Sequence, residues 1–298
     1  MKQLTIFTPT FNREKLLERA YDSLKAQSNQ NFAWLIVDDG STDGTERAIS
    51  GWIRENAIEI RYVKKENGGK HTAYNLACQT ADSELLMVSL DSDDILTRDA
   101  VEIVLDAWNA NRSREIVGVV GLKEDLNSGE FVYQKYDHEK LKFCSLQKAF
   151  AENLFLGEAM FVFKTEYARQ FLYPVIPHEK FFTEGYMYYQ MDRPMLWLHK
   201  ELELVEYQQN GLSRNVVSNF YNCPVSYFLY NKVRLKYDRK LYLTGKHCAY
   251  YIGFGLLGGQ KRIIRDSPRP LLTVALCPLG LFFGVGMKFI KLYKGRRL

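Results

Sequence analysis

Leu85-Leu86-Met87-Val88-Ser89-Leu90-Asp91-Ser92-Asp93-Asp94 is the stretch whose reading decides the fold. A short apolar run bounded by polar residues has the pattern of a strand buried on both faces. It leads into three carboxylates within four residues. Carboxylates that close repel one another unless solvent or a cation offsets the charge. Hard divalent ions take oxygen ligands, often one or two carboxylates plus phosphate oxygens. In an open α/β sheet, nucleotides bind outside the carboxyl ends of the strands. Alone, the stretch also reads as an acidic surface loop that caps the next helix at Thr97. The neighbouring segments decide between the two.

Outward from this stretch, the first 125 residues alternate strand and helix. Residues 4–8 form a short apolar strand, and Pro9 to Asn12 turn the chain, with Asn12 expected as a helix N-cap. Leu17, Ala20, Tyr21 and Leu24 then recur at helical spacing. Residues 34–37 are a second strand, followed by the turn cluster Asp38-Asp39-Gly40-Ser41-Thr42-Asp43-Gly44 and a helical stripe of Thr45, Ala48, Ile49, Trp52 and Ile53. Ile58, Ile60 and Tyr62 alternate as a third strand. Asn67-Gly68-Gly69 breaks the chain before a helix over 71–80. After the acidic stretch come a helix carrying Val101, Val104, Leu105 and Trp108 and a strand over 116–122. Strands separated by helices indicate βαβ units and a parallel sheet. Right-handed crossovers bring the strand ends to one edge. That edge collects the loops 8–13, 38–39, 67–70 and 91–94, which favours a binding site over simple solvation.

Beyond residue 124 the pattern changes. Asn127-Ser128-Gly129 reads as a hairpin turn, residues 159–163 as a strand, and a helix is expected from there through Phe171. Residues 173–190 are aromatic and loop-like. Glu184 lies among Phe181, Phe182, Tyr186 and Tyr188, surroundings expected to raise a carboxyl pKa and suit a general base. An exposed loop glutamate is the plainer alternative.

The net charge of +5 over 298 residues conceals an asymmetry: residues 231–298 carry +13 and the rest −8. A basic tail indicates an anionic partner, lipid headgroups or nucleic acid. Residues 222–251 read as helical. Residues 271–287 carry no charge and lie between Arg262, Arg265 and Arg269 on one side and Lys288, Lys291, Lys294, Arg296 and Arg297 on the other. A span needs about 20 apolar residues, and this run contains Pro278 and several glycines. It is expected to lie at a membrane interface, each flanking cation contributing roughly 1 kcal/mol against anionic lipid. A buried core helix is the alternative, and no nucleic-acid partner is expected. The five cysteines show no paired spacing, so neither zinc nor a disulfide framework is indicated and a reducing cytosol is the simpler setting. The polar start, Met1-Lys2-Gln3-Leu4, does not read as a signal peptide. His71 alone among the histidines lies within a motif.

Taken in order, Thr8-Pro9-Thr10-Phe11-Asn12-Arg13, Val37-Asp38-Asp39-Gly40-Ser41-Thr42-Asp43, Asn67-Gly68-Gly69-Lys70 with Tyr74-Asn75, and Asp91-Ser92-Asp93-Asp94 resemble the family 2 glycosyltransferases of the GT-A fold. The likeness continues through Gly157-Glu158-Ala159, Val162-Phe163-Lys164-Thr165-Glu166, Glu179-Lys180-Phe181 and Thr183-Glu184, which resemble a bacterial branch that builds surface polysaccharides. The resemblance implies an α/β, Rossmann-like, mostly parallel sheet flanked by helices, with a helical, partly hydrophobic C-terminal tail. It implies a nucleotide-sugar half over 1–125, an acceptor half over 126–220 and a tail over 221–298. It implies an inverting, metal-dependent transfer of a sugar from a UDP-sugar to a hydroxyl of a glycan acceptor; the tail adds the expectation of a lipid-linked acceptor and a peripheral place on the inner face of the cytoplasmic membrane. Phe11 would stack on the base and Asp39 accept the uracil N–H. Lys70 would sit near phosphate, and Asp91 and Ser92 would face the ribose. Asp93 would ligate Mn2+ or Mg2+. Thr8, Pro9, Arg13, Asn67, Gly69 and Asn75 would complete the donor site. Glu184 matches the base, with Glu158, Glu179 and Asp192 as alternatives; family members often have Pro where this chain has Thr183. A sugar nucleotidyltransferase would need a Gly-rich loop after the first strand, which 8–13 lacks. A catalytically silent nucleotide-sugar-binding protein fits poorly with an intact Asp91, Asp93 and base.

Overall fold

The structure is a computed structural model that describes residues 2–87, 89–206 and 216–295. The described chain divides into two compact units. One comprises residues 1–149, 153–172 and 192–207, the other residues 150–152, 173–191 and 208–298.

The first unit is built on a mixed sheet. Its elements begin β1 (Leu4–Thr10), α1 (Glu14–Lys25), β2 (Phe32–Asp38), α2 (Thr45–Glu55), β3 (Ile60–Lys64), α3 (Lys70–Thr80) and β4 (Leu85–Met87). They continue with β5 (Ile95–Leu96), α4 (Ala100–Ala110), β6 (Gly118–Asp125), β7 (Tyr133–Tyr136), α5 (His138–Leu141), β8 (Phe143–Cys144) and α6 (Leu146–Ala151). After these come β9 (Phe155–Gly157), β10 (Ala159–Lys164), α7 (Thr165–Ala168), the second unit's α8 (Gly185–Tyr188), and β11 (Met195–Val205). Strand order is β3-β2-β1-β4-β10-β6-β11-β5, with β8 on β11, while β7 and β9 form a separate pair. β3, β2, β1 and β4 are mutually parallel. β10 runs antiparallel to both β4 and β6. β4 and β6 therefore point the same way, and β10 starts at the edge where they end. The expected α/β sheet is present, parallel through its first four strands and mixed beyond.

The core explains the helical spacing. Leu17, Ala20, Tyr21 and Leu24 are the buried stripe of α1. Tyr21, Trp34 and Trp52 stack as three rings from α1, β2 and α2. Fully buried aliphatics of this core, such as Leu17 and Leu24, contribute about 1.5–3 kcal/mol each by burial. Two local expectations change. Asn12 is not the N-cap of α1: Arg13 holds that position, and Asn12 takes a left-handed φ of 54°. The helix after β10 ends at Ala168 and gives way to single turns that reach Phe171; the side chain of Arg169, the next residue, caps another helix. Its Nε and Nη2 donate to Cys78 O and Ala81 O, carbonyls at the end of α3. Val88 of the expected strand, residues 207–215, and Arg296 and Arg297 of the expected basic flank lie outside the described residues.

The second unit is helical beyond α8: α9 (Val216–Asn222), α10 (Pro224–Tyr237), α11 (Leu241–Leu257), α12 (Pro270–Ala275) and α13 (Cys277–Gly295). Its core gathers Tyr227, Phe228, Leu235, Tyr251, Ile252 and Phe254. A fully buried Asp238 ties α10 to α11 by pairing with Arg234 at 3.0 Å and His247 Nδ1 at 2.5 Å. Among the described residues no helix is long and apolar enough to cross a membrane.

Candidate active site

The parallel strands deliver their loops to one edge of the first unit, and the loops are laced together there. Asp38, fully buried at the end of β2, accepts from Ser41 N at 2.7 Å and from Tyr62 Oη at 2.7 Å. Asn12 N donates to Ser41 Oγ at 2.8 Å, and Thr42 N donates to Asn12 Oδ1 at 2.8 Å. The loop after β1 is thus pinned to the loop after β2, and the left-handed Asn12 is what lets both bonds form. The Phe11 ring between these anchors stays 46% exposed. An exposed aromatic on a fixed backbone is a ready stacking surface for a base.

Asp39 is the knot of the next loop. Its Oδ1 accepts from Gly68 N at 2.9 Å and Lys65 Nζ at 2.6 Å, and its Oδ2 from Gly69 N at 2.7 Å. Asn67 Nδ2 donates to Asp39 O at 2.8 Å. Two glycines permit this closeness: Gly40 has φ +89°, and a Cβ there would lie 3.2 Å from Asn67 N, while Gly69 has φ +94°. A carboxylate has about four lone-pair sites. Three are used within the loop, so Asp39 has capacity for one further donor.

The acidic loop after β4 divides into three differently treated carboxylates. Asp91 is met by Lys70 Nζ at 2.8 Å from Oδ1 and 3.0 Å from Oδ2, and Ser89 Oγ donates to it at 2.6 Å. Burial pushes Asp91 up, but Lys70, Lys123 and the Ser89 hydroxyl outweigh it and hold the carboxyl down at about 2. Asp94 is buried and faces Lys123 at 3.2 Å; Lys123 in turn lies 2.8 Å from Glu203 of β11, which is fully buried. The Glu203 contact is a charge contact rather than an aligned hydrogen bond. Burial pushes both Asp94 and Glu203 up, against the pull of Lys123, while the carboxylates drive Lys123 well up.

Asp93 is the exception. Burial, then Asp94 and Asp91, push it up, and Arg13 is the countercharge that opposes them. Among the described residues no salt bridge reaches it. A carboxylate with surplus negative charge around it is where a hard cation would reverse the penalty. Among the described residues no set of three or more His, Cys, Asp or Glu side chains could hold a metal alone. The donor set therefore fits a cation such as Mg2+ or Mn2+ that takes one or two carboxylates here and its other ligands from phosphate and water.

The other expected residues differ in their surroundings. Thr8 is fully buried, its hydroxyl accepting from Trp34 Nε1 at 2.8 Å, so its side chain serves the core. Ser92 is buried within the acidic loop. Pro9, Arg13, Asn67, Gly69, Lys70 and Asn75 are half-buried along the loops and α3. His71 is buried, and burial, with Lys65 opposing protonation and Asp39 favouring it, takes it down to about 4. It is a buried imidazole held neutral. Lys65, Lys123 and Glu203 went unrecognised in the sequence. Lys123 carries a readable signal, a lysine ending the apolar run 116–122; Glu203 carries none.

Glu184 belongs to the second unit. It immediately precedes α8, its carbonyl accepting from Met187 N and Tyr188 N, and its Oε2 accepts from Tyr188 Oη at 3.3 Å. Phe182 and Tyr186, two residues before and after it in the chain, pack ring to ring at 4.8 Å. Of the alternative bases, Glu179 is occupied: its carboxylate accepts from Val225 N, Ser226 N and Ser226 Oγ at 2.6–2.8 Å and so caps the start of α10. Asp192 is exposed. Glu158 is exposed in the first unit, immediately before β10, at the edge where β4 ends.

Residues 5–171 match the model of glycosyl transferase family 2. A Campylobacter jejuni protein described as GalNAc(5)-diNAcBac-PP-undecaprenol beta-1,3-glucosyltransferase is 25% identical over 263 residues, covering 84% of this chain and 81% of that protein. The first curated relatives are longer proteins, 33–35% identical over 37% of this chain, and the chain spans only 15–18% of their length. Among solved structures, Staphylococcus aureus TarS 1-349 in complex with UDP-GlcNAc superposes with a TM-score of 0.63 at 18% identity, covering 98% of this chain and 92% of that one. Mannosyltransferase PcManGT from Pyrobaculum calidifontis, in complex with GDP-Man and Mn2+, has a TM-score of 0.54 at 18% identity, covering 99% and 82%. These two likenesses establish the fold, which is the GT-A arrangement expected.

Proposed function

This chain belongs to glycosyl transferase family 2, and from that premise we propose that it transfers a sugar from a nucleotide-sugar donor, a UDP-sugar, to a hydroxyl of a glycan or lipid-linked acceptor in cell-surface polysaccharide synthesis. The observation that carries the reading is the contrast within one loop. Asp91 is neutralised by Lys70, Asp94 by Lys123, and Asp93 by neither, at the edge where Phe11 offers an exposed ring. A relative described as a glucosyltransferase, TarS 1-349 bound to UDP-GlcNAc and a mannosyltransferase bound to GDP-Man and Mn2+ support it.

In this reading residues 1–125 hold the donor, 126–220 receive the acceptor, and 221–298 form the tail. Phe11 stacks on the base, and Asp39 offers its remaining lone pair to a base N–H. Lys70 keeps Asp91 ionised so that it accepts from ribose hydroxyls, and Arg13 supplies positive charge near the phosphates. Asp93 would hold Mn2+ or Mg2+, which when bound offsets the charge of the departing diphosphate. An acceptor hydroxyl displaces the diphosphate at the anomeric carbon through an oxocarbenium-like state, one base removes its proton, and the configuration inverts. Glu184 is that base. The Tyr188 hydroxyl donates to its carboxylate and orients it. Glu158 is the second reading, favoured by its place beside the β10 start in the same unit as the acidic loop. Contact with the inner face of the cytoplasmic membrane through the tail belongs to the proposal, since a lipid-linked acceptor resides there.

The test is a panel of nucleotide sugars with Mn2+ or Mg2+, followed by NMR of the new glycosidic bond. Metal-dependent turnover with an inverted anomeric centre supports the proposal; a retained centre would refute the single-base displacement. In parallel, Glu184→Gln and Glu158→Gln identify the base: the correct one abolishes transfer and leaves donor binding intact.

A further inference from the structure

The outer side of α12 and α13 is apolar and uncovered within the second unit. Leu271 is 88% exposed, Phe282 80% and Phe289 67%, with Val274, Leu279 and Val285 about half exposed. On α13, Phe282, Val285 and Phe289 follow at i, i+3 and i+7, one stripe of an α-helix. The opposite stripe, Gly280, Gly284 and Met287, is buried. It packs on α11 through small residues: a Cβ on Gly284 would lie 3.2 Å from Gly253 Cα, and one on Gly280 would lie 2.4 Å from Ile252 Cβ. Close glycine-mediated contact of this kind recurs between helices in lipid. The fold thus spends the glycine face of α13 on packing and leaves its bulkiest side chains outside. A soluble surface does not ordinarily carry so many contiguous apolar side chains.

Charge identifies the occupant. From Arg239 to Gly295 the sole acidic residue is Asp266. Lys261, Arg262 and Arg265, exposed ahead of α12, and Lys288, exposed on α13, flank the apolar stretch in sequence. Uncharged residues 271–287 between basic flanks match an acyl layer beneath anionic headgroups. A second copy of this strongly basic tail would instead bring like charges together. Among the described residues no helix is long and apolar enough to cross a membrane; an exposed apolar stripe along the side of a helix, with basic residues at both ends, has the geometry of lying in the interface.

We propose that α12 and α13 are an in-plane lipid anchor. Leu271, Val274, Phe282, Val285 and Phe289 enter the acyl boundary of an anionic bilayer, and Lys261, Arg262, Arg265 and Lys288 contact its headgroups. The inference rests on the proposed transfer to a lipid-linked acceptor and gives it a place: the anchor confines the enzyme to the surface that carries the acceptor.

The experiment uses the full chain and vesicles of phosphatidylcholine, with or without phosphatidylglycerol. Wild type sediments with the anionic vesicles and is released in part by salt. Phe282→Asp with Phe289→Asp lowers the partition coefficient by about tenfold or more, with unchanged melting and nucleotide-induced stabilisation. Lys261→Gln with Arg262→Gln and Arg265→Gln removes the preference for anionic vesicles. As a variant that keeps the surface apolar, Phe282→Trp gives blue-shifted emission on vesicle addition, quenched by brominated acyl chains. Unchanged emission, wild-type sedimentation of the double variant, or a lipid-independent dimer that the double variant dissolves would overturn the anchor. Transfer to a soluble acceptor separates the two proposals. Transfer without vesicle binding defeats the anchor alone; vesicle binding without transfer to any acceptor defeats the functional reading alone.

Discussion

Lys70 and Asp91 are joined twice, with Nζ 2.8 Å from Oδ1 and 3.0 Å from Oδ2, so that the first residue of α3 holds the loop after β4. Asp91 stays ionised far below the ordinary carboxylate range largely because of this lysine. Lys70→Met removes both the pairing and a cation beside the donor site. We expect UDP-sugar affinity to fall about tenfold to a hundredfold, the loss of one charge-assisted contact. Isothermal titration of the donor checks it, and unchanged affinity would remove Lys70 from the site.

Lys123 compensates two buried carboxylates, Asp94 and Glu203. Lys123→Met leaves both without their cation and should cost about 3–5 kcal/mol of stability. Adding Glu203→Leu replaces the Lys123–Glu203 pair by apolar groups and should recover a large part of that loss. Urea unfolding of the single and double variants measures the difference.

His71 makes the fold acid-sensitive. Buried and neutral, it has its pKa lowered to about 4 from an ordinary 6.5. The unfolded chain therefore takes up this proton first as pH falls. The contribution is fully present above about 6.5 and is lost between there and about 4, amounting to roughly 3 kcal/mol. Stability profiles of wild type and His71→Gln should differ in slope across this window and run parallel above it.

Much of the donor-side architecture was legible because its signals are local. The stripe of Leu17, Ala20, Tyr21 and Leu24 fixes α1 by spacing alone, and the apolar runs ending at Asp38 and Asp91 fix where two loops emerge. What stayed hidden depends on partners distant in sequence. Asn12 reads as a cap from its own residue type, yet Ser41 and Thr42 draw it into a left-handed turn one residue early. Asp39 reads as a ligand-facing acid, but Gly68, Gly69 and Lys65 claim most of its lone pairs. Glu201-Leu202-Glu203-Leu204 does not advertise a buried glutamate. Register shifts between Trp197 and Glu201 and between Glu201 and Glu203 break the simple alternation, and Glu203 ends up buried against Lys123.

Asp93 carries the central claim, because it is the carboxylate of its loop that no lysine neutralises. Its charge is unfavourable in the folded chain, so Asp93→Asn should leave thermal stability equal or slightly higher. The decisive measurement is nucleotide release from a UDP-sugar with acceptor, titrated with Mn2+, for wild type and Asp93→Asn side by side. The account predicts metal-dependent release by wild type and a loss of about a hundredfold or more in a fully folded variant. Equal metal-dependent release by the two proteins would contradict it.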